Sequence, residues 1–177
     1  MPAFDDLLGE IELPQCTCLN QSTEHTLRHC LDASTRDTPD SYLQSDCDEE
    51  LLISLKFMQA VKISALVVQG LDAESAPSSI RLFKNKVGLD FDSAKSDKPT
   101  QEIELSKADV LSGGRIELRF VNFQGVQELS IFVPGNHGEV DETKISKLAV
   151  LGEQVQQQGL KRSVEQQEST SKGDWLN

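Results

Sequence analysis

Ser45-Asp46-Cys47-Asp48-Glu49-Glu50, followed by Leu51-Leu52-Ile53-Ser54-Leu55-Lys56-Phe57-Met58-Gln59-Ala60-Val61-Lys62-Ile63-Ser64-Ala65-Leu66-Val67-Val68-Gln69-Gly70, decides the fold of this chain. Leu51, Ile53, Leu55 and Phe57 fall on one face of a strand and Ser54 and Lys56 on the other, a period of two that a helix would scramble. Val61, Ile63, Ala65 and Val67 repeat the pattern after a three-residue break, so two half-buried strands are expected. The carboxylates ahead of them form an acidic lip that stays in water, because an unpaired buried carboxylate is costly.

Working outward, short β-patterned runs recur at Ser79–Lys84, Gln101–Leu105, Arg115–Asn122, Glu128–Val133 and Lys144–Leu151, and Cys16–Leu19 adds another. Turn residues separate them: Ala76-Pro77-Ser78-Ser79, Asp97-Lys98-Pro99, Gly113-Gly114 and Pro134-Gly135-Asn136-His137-Gly138 supply preset φ or φ > 0. Ile116, Leu118 and Phe120 are expected on one strand face, as are Leu129, Ile131 and Val133. Helix is confined to a short piece capped by Ser22 over Thr23–Leu31 and another capped by Ser106 over Lys107–Leu111. Seven or eight short strands with so little helix indicate an all-β antiparallel β-sandwich, and the expected form is a jelly roll.

At 177 residues the chain has room for one domain with a single sizeable core. No run approaches the eighteen or so apolar residues of a membrane span, and Met1–Glu10 lacks the basic start and apolar core of a signal peptide, so an intracellular protein without membrane contact is expected. The net charge of −12 is uneven: residues 1–50 hold twelve Asp and Glu against two Arg, whereas the remainder is nearly balanced. Such a surface repels phosphate backbones, which argues against nucleic acid and favours a basic protein surface as partner. From Gln154 onward the sequence is too polar to offset the entropy of ordering, and disorder is expected from about residue 160.

Chemistry is sought first at cysteine. Cys16 and Cys18 are one residue apart and lack the two-residue spacing of a thioredoxin-type redox pair, so they, Cys30 and Cys47 are expected to be reduced thiols, mostly buried small hydrophobes. Cys16, Cys18, His25, His29, Cys30 and Cys47 lie close in sequence, but the paired Cys knuckles of a zinc site are missing. Asp46, Asp48, Glu49 and Glu50 lack calcium-loop spacing, and a sugar pocket would need an exposed aromatic ring where the single Trp is Trp175 and the single Tyr is Tyr42. No Ser-His-Asp arrangement and no phosphate-binding Gly loop can be singled out. The expectation is no catalytic residue, no metal and no cofactor. Asp46, Asp48, Glu49 and Glu50 are the candidate partner-binding residues, joined by Trp175 and Leu176, which suit an anchor inserted into a partner pocket.

Several ordered segments also carry a family pattern. Cys16-Thr17-Cys18-Leu19-Asn20-Gln21-Ser22, the acidic segment Leu43–Ile53, Pro99-Thr100-Gln101 to Leu105, Arg119–Val126 and Leu129–Val133 resemble, in that order, the motifs of the PITH domain. This is the proteasome-interacting module at the C-terminal end of thioredoxin-like proteins and in stand-alone relatives. The resemblance covers residues 14–155, which sets 1–13 apart as an N-terminal extension and 156–177 as a flexible polar tail. It implies a galactose-binding-like β-sandwich, also similar to the Doc-type subunit of the anaphase-promoting complex. It further implies a non-enzymatic, monomeric module of cytoplasm and nucleus that docks on the regulatory particle of the 26S proteasome. The thioredoxin half with its Cys-x-x-Cys is absent from this sequence, leaving an excised domain or a stand-alone relative as alternatives. On the residues alone, a small-ligand or metal-binding sandwich is the competing function.

Overall fold

The computed structural model describes residues 4–155, which contain nine strands, three short α-helices and three 3-10 turns. The strands are β1 (Asp5–Asp6), β2 (Thr17–Leu19), β3 (Leu43–Gln44), β4 (Leu51–Gly70), β5 (Ser79–Lys84), β6 (Gln101–Glu104), β7 (Arg115–Glu117), β8 (Val126–Val133) and β9 (Lys144–Gln154). All pairings are antiparallel, and they join into one curled sheet.

The deciding stretch is one strand where the sequence pattern indicated two. The first half of β4 pairs with β2 and β8, through Ile53↔Cys18 and Ile53↔Ile131. The second half pairs with β9 and β7, through Leu66↔Val150 and Leu66↔Ile116. At Phe57–Ala60 the strand bends, and the ladder to β8 jumps from Lys56 to Val61. The three-residue break is thus a corner at which β4 passes from one leaf of the sandwich to the other, as irregular pairing allows at a sheet corner. Both ends of β4 come to the same end of the molecule, Leu51 beside Val133 and Gly70 beside Ile145.

The first half keeps the expected faces: Leu51, Ile53, Leu55 and Phe57 are buried in the main core, and Lys56 is exposed. The second half does not. Pairing runs Ile63↔Gly152 and then Ala65↔Leu151, so Ser64 is an extra residue, a β-bulge. One extra residue exchanges the faces of everything after it. Val61 and Ile63 face the core as expected, but Leu66 and Val68 then join them, and Ala65 and Val67 lie outside that cluster.

Both leaves contribute to one core, which contains Ile80 and Leu82 of β5, Leu129, Ile131 and Val133 of β8, and Ile145, Leu148 and Val150 of β9. The segment before residue 14 packs onto it: β1 pairs with β9, and Leu7 and Ile11 are buried. Beyond β7 the expected strand stops at Glu117, because Leu118 N–H turns to the Ser64 carbonyl at 2.9 Å and Phe120–Asn122 form a 3-10 turn.

The first α-helix, α1, spans Leu27–Leu31 rather than starting at Ser22. Ser22 Oγ instead accepts from Glu24 and His25 N–H in a turn, and Thr26 caps the helix, its N–H donating to His29 Nδ1 at 2.9 Å. Helix α2, Phe91–Ser96, has no strong sequence pattern. Asp90 caps it, accepting from Ser93 N–H at 2.8 Å, and it covers a small second core of Leu52, Phe83, Ala94 and Phe132 outside the first leaf. Helix α3, Lys107–Ser112, is capped by Ser106 and ends at Gly113 with φ +73°, as the sequence indicated.

Candidate functional site

Three loops meet at the end of the sandwich where β4 begins and ends. They are residues 45–50 before β4, 71–78 between β4 and β5, and 134–143 between β8 and β9. Gly138 N–H donates to Glu74 O at 2.8 Å, His137 N–H to Ala76 O at 3.0 Å and Ser45 N–H to Thr143 O at 3.0 Å, so the three are stitched together. They carry nine carboxylates, Asp46, Asp48, Glu49, Glu50, Asp72, Glu74, Glu139, Asp141 and Glu142, and no Lys or Arg.

Two asparagines hold this end in shape. Asn20, at φ +69°, follows β2 and reaches under the 45–50 loop. Its Nδ2 donates to Asp48 Oδ1 and to Glu50 O, both at 2.7 Å, its Oδ1 accepts from Cys47 N–H at 3.0 Å, and its own carbonyl accepts from Asp46 N–H at 2.9 Å. Asparagine tolerates this left-handed backbone better than other side-chain-bearing residues. Asn136, buried, does the same for 136–143, donating to Val140 O at 2.9 Å and accepting from Val140 N–H at 2.9 Å. Thr143 joins the two systems: its hydroxyl accepts from Asn136 Nδ2 at 3.1 Å and donates to Glu49 O at 2.7 Å.

The four acidic residues singled out from the sequence share one loop but not one situation. Asp46 is exposed. Asp48 turns its Oδ1 inward to Asn20 and to Glu50 N–H at 3.0 Å. Glu49 lines a cleft of about 460 Å³ with Pro134, Asn136, Glu139 and Asp141. Glu50 leans to α2 and pairs with Lys95 at 2.8 Å, a hydrogen bond that raises the lysine's pKa. Trp175 and Leu176 lie outside the described residues.

Asp72, Glu74, Glu139, Asp141 and Glu142 were missed by sequence reasoning. Their signal was the Glu139-Val140-Asp141-Glu142 run after the Pro-Gly-Asn turn, but its proximity to Glu49 is a tertiary fact. Asp72 is held below the usual carboxylate range chiefly by Ser75 N–H, 2.8 Å away, so it stays ionised at neutral pH. Lys144 stands at the rim, 3.8 Å from Glu142 and over the Tyr42 ring.

The fold keeps His25 and His29 side by side, ring centroids 6.3 Å apart, and packs Cys16, Cys18 and Cys30 on the main core, but does not bring the six cysteine and histidine side chains into one ligand set. Cys47 belongs to the acidic loop, His25 stacks on Tyr42 with centroids 4.0 Å apart, and His29 is the acceptor at the α1 cap. Among the described residues no group of three or more His, Cys, Asp or Glu is placed to hold a metal ion. All four cysteines are free. Burial pushes the Cys18 thiol up to about 12 and raises Cys30 further, so both are protonated at neutral pH and poor nucleophiles. What this end can do is attract and orient positive charge: clustered like charges focus field over roughly a Debye length, about 8 Å at physiological salt.

The profile of the PITH domain matches residues 1–170. Thioredoxin-like protein 1 of Schizosaccharomyces pombe is 40% identical over 160 residues, which cover 86% of this chain and 52% of that protein, so the chain spans about half its length. PITH domain-containing protein CG6153 of Drosophila melanogaster is 33% identical over 150 residues, 83% of this chain and 69% of that protein. Human PITH domain-containing protein 1 is 33% identical over 144 residues, 81% of this chain and 67% of that protein. Among solved structures, the family 32 carbohydrate-binding module of Clostridium perfringens NanJ, in complex with galactose, superposes with a TM-score of 0.60 at 9% identity, covering 84% of this chain and 98% of that one. The C-terminal domain of a Bacteroides fragilis chitobiase gives 0.59 at 14% identity, over 85% and 99%. At such identities the likeness shows the galactose-binding-like jelly-roll fold and nothing about ligand. By profile, relatives and fold together, the chain belongs to the PITH domain family.

Proposed function

We propose that this PITH domain is a non-enzymatic protein-binding module that docks its acidic end on a basic surface of the 26S proteasome regulatory particle. One observation carries the acidic-end part: three loops distant in sequence converge at one end and bring nine carboxylates and no Lys or Arg of their own, with Lys95 and Lys144 pairing only Glu50 and Glu142 from outside the loops. The choice of the proteasome rests on the family resemblance alone. In this reading Asp46, Asp48, Glu49 and Glu50 belong to the contact, with Glu139 and Asp141 across the cleft, while Asn20 and Asn136 keep the loops pre-organised. The module acts as a monomer in cytoplasm and nucleus, without nucleic acid or membrane contact. In a longer relative it would bring a thioredoxin-like redox domain to the proteasome.

The test is retention of the purified chain on isolated 26S proteasomes. Wild type is expected to be retained, and retention should fall as salt rises, since rim charges act through screened electrostatics. The combined Asp46→Asn, Glu49→Gln, Glu139→Gln and Asp141→Asn variant should be retained less. Equal retention of the variant would sink the acidic-face contact; no retention of wild type would sink proteasome docking itself.

A further inference from the structure

The loop between α1 and β3 carries the one hydroxyl residue that stands directly before a proline. Of the six prolines in the chain only Pro39 follows a Ser or Thr, in Asp37-Thr38-Pro39-Asp40. All four of these residues are exposed. Thr35 and Ser41 donate their hydroxyls to the carbonyls of Arg28 and His29, both at 3.1 Å, whereas the Thr38 hydroxyl makes no hydrogen bond among the described residues. The main chain here is held by local turns: Arg36 N–H donates to Asp32 O at 2.8 Å, Thr38 N–H to Thr35 O at 2.9 Å and Ser41 N–H to Thr38 O at 3.0 Å. None of these bonds belongs to the sheet, so the loop can open into an enzyme's cleft without breaking a ladder. Pro39 also biases Thr38 away from helix.

The same loop holds a cation short of acceptors. Arg36 Nη2 pairs with Asp6 Oδ2 at 2.5 Å, but its Nε and Nη1 are buried without a partner among the described residues. Buried donors left in that state are rare and costly. A second cation, Lys147 of β9, lies 3.3 Å from Asp37 Oδ1. Thr38 therefore stands two residues after a guanidinium with vacant donors and directly after a carboxylate paired with a lysine.

We propose that Thr38 is a phosphorylation site for a proline-directed protein kinase, and that Arg36 and Lys147 hold the phosphate. The kinase transfers the γ-phosphoryl group of MgATP to Thr38 Oγ1. The bond from threonine oxygen to phosphorus forms, the bond from the γ-phosphorus to the β–γ bridging oxygen breaks, ADP leaves and the hydroxyl proton passes to the kinase. The product carries about −1.5 to −2 charge and roughly three strong acceptor oxygens, which supply what the Arg36 fork lacks. Asp37 and Asp40 repel that charge, so the two cations decide the outcome. Held by them, the phosphate fastens the loop to β1 through the Asp6–Arg36 pair and to β9 through Lys147. The inference is independent of what the acidic end binds.

The whole chain is incubated with MgATP and, in separate reactions, a cyclin-dependent and a mitogen-activated protein kinase. Peptide mass spectrometry should place a phosphate on Thr38 in wild type and none there in Thr38→Ala. Hydrogen exchange then compares the two forms of wild type. The Arg36 and Thr38 amides should exchange about tenfold more slowly in the phosphorylated chain, the effect of one charge-assisted hydrogen bond. In Lys147→Gln, and in Arg36→Lys, which keeps the charge but loses the fork, Thr38 should still be phosphorylated and the slowing should shrink to roughly threefold. Lys147→Gln carries this comparison if Arg36→Lys does not fold. No phosphate on Thr38 with either kinase, or phosphate on other residues instead, would overturn the proposal. So would amides that exchange as before or faster, meaning that repulsion by Asp37 and Asp40 prevails, or a slowing that persists in full in the variants.

Discussion

Asn20 Nδ2 lies 2.7 Å from Asp48 Oδ1, linking the end of β2 to the acidic loop twenty-eight residues later. The same amide reaches Glu50 O and Cys47 N–H, so one side chain sets the course of the whole loop. Asn20→Ala removes these partners and leaves alanine at φ +69°, whereas Asn20→Gly removes them without backbone strain. Stability should fall by about 1–3 kcal/mol for alanine and by somewhat less for glycine. Urea unfolding of the two variants measures the difference, and equal loss would place the whole effect in the hydrogen bonds.

The bulge at Ser64 makes neighbouring positions behave oppositely. Leu66 is fully buried in the main core, and Leu66→Ala should cost about 2–5 kcal/mol. Val67, half-buried outside that cluster, should lose below about 1 kcal/mol in Val67→Ala. Were the strand in uninterrupted alternation after Val61, denaturant midpoints would show the reverse order.

Gly152 of β9 sits opposite Ile63 of β4 with no room for a side chain. A Cβ there would collide with the Lys62 carbonyl oxygen and stand 3.0 Å from Leu7 Cδ1, so neither strand accepts it without moving. Gly152→Ala should destabilise by about 1–3 kcal/mol, as overpacking does, and should weaken amide protection in β1, which pairs with β9 at Gly152. Hydrogen exchange of Asp5 and Asp6 at wild-type level would contradict this.

Thiol chemistry follows burial. Cys47, exposed, should be alkylated first, ahead of Cys18 and Cys30. Burial raises Cys18 from its ordinary 9.0 to about 12, so the folded state prefers the neutral thiol. Below pH 9 that preference contributes fully. Between pH 9 and 12 the unfolded chain ionises first, and the contribution is lost as pH rises. Comparison of wild type with Cys18→Ala by urea unfolding across this window should show wild type losing stability more steeply, and parallel profiles would refute the assignment.

The strand pattern was legible because alternation is local: Leu51, Ile53, Leu55 and Phe57 declare a face whatever surrounds them. It failed after Ile63, because a bulge is set by the partner strand, and one unpaired Ser64 hands the core to Leu66 and Val68. Helix α2 escaped notice because six residues offer no amphipathic repeat; a cap at Asp90 and the apolar cover of Phe132 make it.

By itself the sequence determined the all-β class, the turns, the α3 cap, the acidic character of Ser45–Glu50 and, through ordered motifs, the family. These rest on local periodicity, fixed φ preferences and residue order, which need no partner. Only the tertiary structure decided that β4 is one strand turning a corner. That corner carries both of its ends to one face, joins Glu49 to Glu139 and Asp141, and sets Val155 against Ala60 at the other. Those juxtapositions depend on long-range pairing, which short-range pattern does not encode.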